Sequence, residues 1–171
     1  YRVPMMVRWP ASIKAGQVSN DIIAMMDWMP TLLAAAGDDS VKEKLKAGAT
    51  IGGKAYKVHL DGYNSLPYFT GAVKKGPRNE FIYSSDTGDI VGYRMGDFKF
   101  VFKEQRAHGL GVWQDPWVTL RMPKVFNLRM DPFERTDSEA SGYDQWMAEH
   151  MFLFAPVIAE VMKFKATFAE F

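Results

Sequence analysis

The feature that most constrains the fold is a pair of apolar, strand-length segments, 90–95 and 98–103, joined by Gly96-Asp97. A two-residue Gly-Asp loop predicts a β-hairpin, because Gly supplies the positive φ that a primed turn requires. So short a loop also fixes which residues face each other across the two strands. The predicted opposing pairs are Met95 with Phe98, Tyr93 with Phe100 and Val91 with Phe102.

The two faces of this hairpin differ in polarity. Because side chains alternate between the faces of a strand, the six apolar residues of the opposing pairs share one face. Arg94, Lys99 and Lys103 fall on the other face. We therefore predict that one face of the hairpin packs against a core and that the other is in contact with water.

The end of the chain has the periodicity of an amphipathic helix. Pro156 separates a first helical segment, 142–154, from a second, 156–170. In the second segment apolar residues recur at spacings of three and four, which places them on one side of a helix. We predict that this stripe packs on the apolar face of the hairpin. Its members are Val157, Val161, Phe164, Phe168 and Phe171.

The first part of the chain has a different pattern. Residues 3–9 are apolar and precede Pro10, which predicts a short buried strand. A helix is predicted from an N-cap at Asp27 to a C-cap at Gly37. Residues 38–58 are rich in Gly and Lys and predict a solvated, mobile excursion. A turn and a short helix are predicted at 61–71.

Gly76-Pro77 marks the predicted boundary between the two parts, since Gly and Pro interrupt regular structure. Beyond it, 80–85 and 125–129 are further candidate strands, and 104–122 is predicted to be a long loop. Residues 76–171 thus predict an antiparallel sheet of about four strands with a long C-terminal helix, which is an α+β arrangement.

Four segments in this order resemble landmarks of the arylsulfatases, which are formylglycine-dependent sulfatases of the alkaline-phosphatase-like superfamily. Each segment alone is weakly specific, and their shared order carries the resemblance, which extends over residues 1–171. It implies that residues 1–75 are the last strand and helix of a larger α/β catalytic domain, and that residues 76–171 are its C-terminal subdomain. The segments are RVPMMVRWP at 2–10, DWMPTLLAAAG at 27–37, DGYNSLPYFTG at 61–71 and FNLRMDPFE at 126–134.

The resemblance implies chemistry whose residues this chain lacks. Sulfatases of this kind form a formylglycine from Cys or Ser in a Cys-x-Pro-x-Arg signature, and a divalent metal, usually calcium, assists its attack on sulfur. The chain contains no cysteine, and in family order these residues precede the first landmark. We therefore assign no catalytic residue, metal ligand or cofactor to the chain. Formylglycine, calcium and a missing N-terminal catalytic portion are expected in the intact protein.

Three cationic residues are candidates for lining a substrate cleft. Arg106, His108 and Arg121 fall within the predicted 104–122 loop. Loops carried by a rigid scaffold often hold binding residues, and these side chains could contact a sulfate group. The alternative is a solvated surface loop without a ligand.

We therefore expect the intact protein to be an enzyme that hydrolyses small organic sulfate esters, with this C-terminal part inactive alone and giving structural support. The alternatives are a related phosphate or phosphonate ester hydrolase and a stand-alone, non-catalytic binding module. A net charge of +1 predicts no nucleic-acid partner. No apolar run approaches the ~20 residues of a membrane helix. The compartment stays open, and a periplasmic or secreted location would fit the resemblance.

Overall fold

The computed structural model describes residues 3–170, without the side chain of Glu170, and it divides into two compact units. The first unit runs to Asn79, and the second is Glu80–Ala169. The first unit contains three short helices and one small hairpin. Its elements are α1 Trp28–Ala35, α2 Val41–Ala47, β1 Ala49–Ile51, β2 Lys54–Tyr56 and α3 Leu66–Phe69.

The second unit is a four-stranded antiparallel sheet followed by helices, so the predicted α+β arrangement is confirmed. The strands lie in chain order, β3-β4-β5-β6. No helix within residues 3–170 is long and apolar enough to cross a membrane. The elements are β3 Glu80–Ser84, β4 Ile90–Met95, β5 Phe98–Glu104, β6 Val118–Asn127, α4 Thr136–Glu139, α5 Tyr143–Glu149 and α6 Phe154–Thr167.

The hairpin around Gly96-Asp97 forms with the predicted register. Gly96 has a φ of 58°, which is the left-handed backbone that the turn needs. Met95 pairs with Phe98 and Tyr93 pairs with Phe100. The ladder ends at Gly92 and Val101, so the third predicted pair is not part of it.

The terminal helix packs on the predicted face of the sheet, but through its first half. Phe100, Val125 and Val157 are fully buried together with Tyr93. Pro156 does not divide the helix, because it lies in the first turn of α6, where a backbone N–H has no intrahelical acceptor. The packed part of α6 and the turn before it contributes Leu153, Phe154, Val157 and Val161.

The far end of the predicted stripe does not reach this core. Phe168 is 60% exposed and packs on Phe164, with 5.0 Å between ring centroids. Phe171 lies outside the described residues. Helical periodicity identifies the side of a helix that is apolar, but it does not determine how far along the helix a sheet extends. The prediction that Phe168 is buried was therefore wrong.

The opposite face of the sheet is not the wet face that was predicted. Lys99 is only 8% exposed, and its ammonium lies 2.6 Å from a carboxylate oxygen of Glu134 and 4.9 Å from the Tyr83 ring centroid. Residues that follow β6 fold back over this face and exclude water from it. The second core that they form consists of Phe126, Leu128 and Tyr143, with Val101, Trp146 and Met147 packed against it.

Two predictions for the first unit were wrong. Residues 3–9 form no strand and are exposed, and no described strand pairs with them. Residues 38–58 are not an irregular excursion, because they form α2 and the β1–β2 hairpin. Val41 and Leu45 are buried on one side of α2, a spacing of four that the surrounding lysines obscured.

Candidate functional site

One glutamine organises the connection between β5 and β6. The Gln105 side-chain amide donates hydrogen bonds to the carbonyl oxygens of Val112, at 3.3 Å, and Asp115, at 2.9 Å. Its carbonyl oxygen accepts a 2.9 Å hydrogen bond from the Ala107 N–H. A single side chain therefore joins both ends of the loop and fixes the 3₁₀ turn Gly109–Trp113 between them.

This turn exposes large apolar side chains. Trp113 is 80% exposed and Leu110 is 82% exposed. An exposed Trp in a loop held at both ends provides a flat contact surface that loses little conformational freedom when it is covered. The loop therefore has the properties of a recognition element.

The three predicted cleft residues lie at separate positions in and beside this loop. Arg106 is exposed and lies 3.4 Å from a carboxylate oxygen of Glu104. His108 is exposed and directly precedes the 3₁₀ turn. Arg121 is exposed, but it belongs to β6 and not to the predicted loop. Within residues 3–170 no hydrogen bond or ion pair joins any two of these three side chains.

Arg121 lies where the register of β6 changes. Val101 pairs with Lys124, whereas Lys103 pairs with Thr119, so the intervening part of β6 bulges away from β5. Pro123 lies in this bulge, where its missing N–H costs no ladder hydrogen bond. Bulges redirect side chains and are frequent beside functional sites. The bulge is the local feature that brings Arg121 and Met122 to the surface.

Lys124, next to this bulge, forms ion pairs with residues of two other elements. Its ammonium contacts Glu104 at the end of β5 and lies 2.6 Å from Asp137 in α4. Burial alone would lower the pKa of Lys124, but hydrogen bonds to Asp137 and Glu104 outweigh it and raise the pKa. Lys124 therefore stays protonated near neutral pH and acts as a structural cation, not as a general base.

An apolar cleft of about 150 Å³ lies beside α5. The Tyr143 hydroxyl at its wall accepts a hydrogen bond from the Val125 N–H and donates one to the Val125 carbonyl oxygen, both at 3.1 Å. Burial raises the pKa of Tyr143 despite that backbone contact. Asp131 is also occupied, since it accepts hydrogen bonds from Thr136. The cleft therefore offers apolar contact without free, convergent polar groups.

The first unit contains a buried ion pair that the sequence pattern did not predict. Asp27 is 1% exposed, and Arg78 donates to both of its carboxylate oxygens at 2.8 and 2.5 Å. The N–H groups of Ala24 and Tyr63 also donate to this carboxylate. Burial alone would raise the pKa of Asp27, but these hydrogen bonds, with that from Arg78 the strongest, hold the pKa below its usual value.

This ion pair has a structural role. Asp27 was predicted as an N-cap, and it does precede α1, but its carboxylate turns back to Ala24 instead of capping that helix. Arg78 also donates to the Asp61 carbonyl oxygen and stacks over the Tyr63 ring at 4.6 Å. The carboxylate is enclosed by donors, so no face of it is left for a substrate.

The described side chains do not fit a metal or formylglycine site. Among residues 3–170 no three of His, Asp and Glu lie close enough together to hold a metal ion. Ser65-Leu66-Pro67 matches the start of the formylglycine signature, but Phe69 replaces its Arg and Ser65 is buried. The Ser65 hydroxyl has no hydrogen-bond partner among the described residues. The predictions of calcium and formylglycine are not tested by this structure.

Comparison with known proteins identifies the fold. The chain matches no protein-family model and no curated protein. Among solved structures it is similar to the crystal structure of PsFucS1 sulfatase from Pseudoalteromonas sp., with a TM-score of 0.59 and 23% sequence identity. The match covers 91% of this chain and 29% of that chain. The chain therefore has the fold of part of a sulfatase, and it spans less than one third of the length of the sulfatase that it matches.

Proposed function

We propose that this chain is the C-terminal part of an enzyme that hydrolyses organic sulfate esters, and that its own role is not catalytic. The observation that carries the proposal is the similarity to PsFucS1 sulfatase over 91% of the chain. The four ordered sequence segments that resemble arylsulfatases support it independently. The nucleophile, the metal and their ligands would belong to a catalytic portion with which the chain associates.

In this proposal the β5–β6 loop borders the substrate cleft of the intact enzyme. The support is local, since Gln105 fixes the loop and the turn exposes Trp113. The side chains of His108 and Arg121 are exposed, and neither side chain forms a hydrogen bond or an ion pair with a described residue. Such side chains could bind an anionic substrate without first breaking an internal ion pair.

The test compares two proteins on three substrates. The polypeptide as its gene encodes it and residues 1–171 alone are each assayed with 4-nitrophenyl sulfate, 4-nitrophenyl phosphate and a phenylphosphonate ester, with added calcium and with a chelator. We expect the gene-encoded polypeptide to hydrolyse the sulfate and residues 1–171 to hydrolyse none of the three.

Each other result favours one of the alternatives. Preferential hydrolysis of the phosphate or phosphonate would assign the chain to a related ester hydrolase. Hydrolysis of the sulfate by purified residues 1–171 would overturn the non-catalytic role. If neither protein hydrolyses any substrate, the proposal of a sulfatase fails and a non-catalytic binding module becomes the better explanation.

A further inference from the structure

The connection between β5 and β6 restrains the backbone on both sides of His108. His108 is extended, with a φ of −124° and a ψ of 154°, and its carbonyl oxygen accepts a 3.2 Å hydrogen bond from the Gly111 N–H. The N–H of the preceding residue, Ala107, donates to the Gln105 side-chain oxygen at 2.9 Å. Gly109, the following residue, turns the chain with a φ of 58°, a left-handed conformation that Gly adopts without steric cost. The exposed imidazole is therefore carried by a backbone that hydrogen bonds hold in place.

Gln105 also closes the far end of the turn that follows His108. Its amide nitrogen donates to the carbonyl oxygens of Val112, at 3.3 Å, and Asp115, at 2.9 Å. A glutamine amide has two donor hydrogens, and both are used in these contacts. Gln105 therefore has no donor left for a ligand, and it can influence binding only through the loop that it holds.

Arg121 is held by a different set of contacts. It belongs to β6, whose backbone pairs with β5 on both sides of the bulge. Lys124, three residues further along β6, forms the ion pairs with Glu104 and Asp137. The three hydrogen bonds of the Gln105 side chain go to residues 107–115, which precede β6. Removing them should therefore change the backbone at His108 and leave Arg121 in place.

We propose that Gln105 is a positioning residue of the substrate cleft, and that it holds His108 where the imidazole donates a hydrogen bond to the anionic group of the substrate. This inference rests on the proposed function. A loop that is ordered before the substrate arrives loses less conformational entropy on binding, so Gln105 increases affinity without touching the substrate. The chemical step needs no contribution from Gln105.

The substitution Gln105→Met tests this role, because methionine is uncharged, similar in length and unable to form the three hydrogen bonds. Gln145→Met is the matched control, since it removes a 3.0 Å hydrogen bond between the exposed side chains of Gln145 and Glu149. Hydrogen exchange is measured first, in the gene-encoded polypeptide. We expect the Gly111 and Asp115 amides, which are hydrogen-bonded within the loop, to exchange roughly tenfold faster in Gln105→Met and at the unsubstituted rate in Gln145→Met. Unchanged exchange in β4 and β5 shows that both variants are folded.

Steady-state kinetics with 4-nitrophenyl sulfate then separate positioning from a purely structural role. We expect Gln105→Met to raise KM by about 3- to 10-fold with kcat within about twofold, the pattern of an interaction that stabilises bound substrate and transition state equally. Combined with His108→Ala, it should raise KM no further than His108→Ala alone, because both act through one group. Combined with Arg121→Ala, the two increases should multiply, because Arg121 is held independently. Gln145→Met should leave KM unchanged.

An unchanged KM in Gln105→Met would overturn the proposal, and so would unchanged exchange in the loop. Increases in KM that multiply when Gln105→Met and His108→Ala are combined would also overturn it, because His108 would not be the group positioned. If the polypeptide does not hydrolyse the ester, the proposed function fails, and the same variants are titrated with inorganic sulfate and followed by NMR. Weaker sulfate binding in Gln105→Met, with the same dependence on His108, would support the positioning role. Equal binding in the variants, or no binding by the unsubstituted polypeptide, would overturn it.

Discussion

The ammonium group of Lys99 lies 2.8 and 2.6 Å from the two carboxylate oxygens of Glu134, and Glu134 has a left-handed backbone with a φ of 56°. The pair joins a strand of the sheet to a turn 35 residues further along the chain. A residue with a Cβ adopts this backbone at a cost of about 1–2 kcal/mol. The turn therefore keeps an unfavourable backbone conformation that places the carboxylate against Lys99.

Two substitutions of Glu134 should separate the stabilisation by the ion pair with Lys99 from the cost of the left-handed backbone. We expect Glu134→Ala to lower the free energy of unfolding by about 1.5–3 kcal/mol, because Lys99 loses a charged hydrogen-bond partner while it stays buried. Glu134→Gly should cost about 1 kcal/mol less than Glu134→Ala, since Gly adopts a positive φ without a steric penalty. Urea denaturation measures both variants. Glu139 is the control, because it is exposed and helical. There Glu139→Gly should lower the free energy of unfolding more than Glu139→Ala does, since Gly disfavours a helix.

Removing Arg78 should be among the most damaging substitutions in the first unit. Arg78→Ala leaves the Asp27 carboxylate buried without its cation, and we expect a loss of about 3–5 kcal/mol in the free energy of unfolding. Arg78→Lys should recover only part of the loss, because one ammonium cannot reproduce the two-pronged contact. Lys163→Ala, which removes an exposed ion pair, is the matched control and should change stability by less than about 1 kcal/mol. Losses of equal size for Arg78→Ala and Lys163→Ala would contradict the buried pair.

Asp27 should make the stability of the chain depend on acid pH. Its pKa in the folded protein lies below the ordinary value of 3.8, so its stabilising contribution is complete above that value and is lost as pH falls through the folded pKa. We expect Asp27→Asn to flatten the fall in unfolding free energy below pH 3.8. Some slope should remain, because the pKa values of Asp38 and Asp131 are also lowered. An unchanged slope in Asp27→Asn would refute the assignment.

Of two phenylalanines at the sheet–α6 packing, one should lower the free energy of unfolding strongly when it is replaced by Ala, and the other only slightly. Phe100 is fully buried and meets Phe154 edge-on at 5.5 Å, so Phe100→Ala should cost about 3–5 kcal/mol. Phe168→Ala, near the exposed end of α6, should cost less than about 0.5 kcal/mol. Denaturant midpoints of the two variants test the difference. Similar losses would show that the whole predicted stripe is packed.

If the β5–β6 loop borders a substrate cleft, Arg121 should affect substrate affinity and not stability. We expect Arg121→Ala to raise KM for an anionic substrate by about 5- to 20-fold in the active polypeptide, which corresponds to the loss of one exposed charged contact of about 1–2 kcal/mol. The thermal midpoint should stay unchanged. Arg129→Ala, a second exposed arginine shortly after β6, is the control and should leave KM unchanged. Equal KM values for the two variants would remove Arg121 from the cleft.

Local chemistry made the hairpin predictable. The Gly96-Asp97 turn and the alternation beside it fixed the register that the structure shows. Contacts between distant residues were not predictable in the same way. Lys99 looked solvent-facing because its partner Glu134 is far along the chain, and Arg78 gave no signal that it would meet Asp27, 51 residues earlier. Single-sequence patterns describe periodicity, and these pairs depend on how the chain folds back on itself.

The candidate site was only partly predictable for a related reason. Arg121 was assigned to a predicted loop at 104–122, whereas the strand β6 already begins at Val118 and contains Pro123, a residue that is rare in central strands. The strand forms nevertheless, because β6 is an edge strand and its register changes around the proline. The role of Gln105 had no sequence signal, since a glutamine near a loop is common and its backbone partners lie up to ten residues away. The sequence therefore located the region but not the interactions that shape it.

The loop held by Gln105 is also a natural position for engineering. Its ends are joined through one side chain and backbone carbonyl groups, so the identities of Leu110 and Trp113 contribute little to holding its shape. Randomising those two positions while keeping Gln105 should yield variants that fold alike and differ mainly in what they bind. A sequence library made there would sample recognition almost independently of stability.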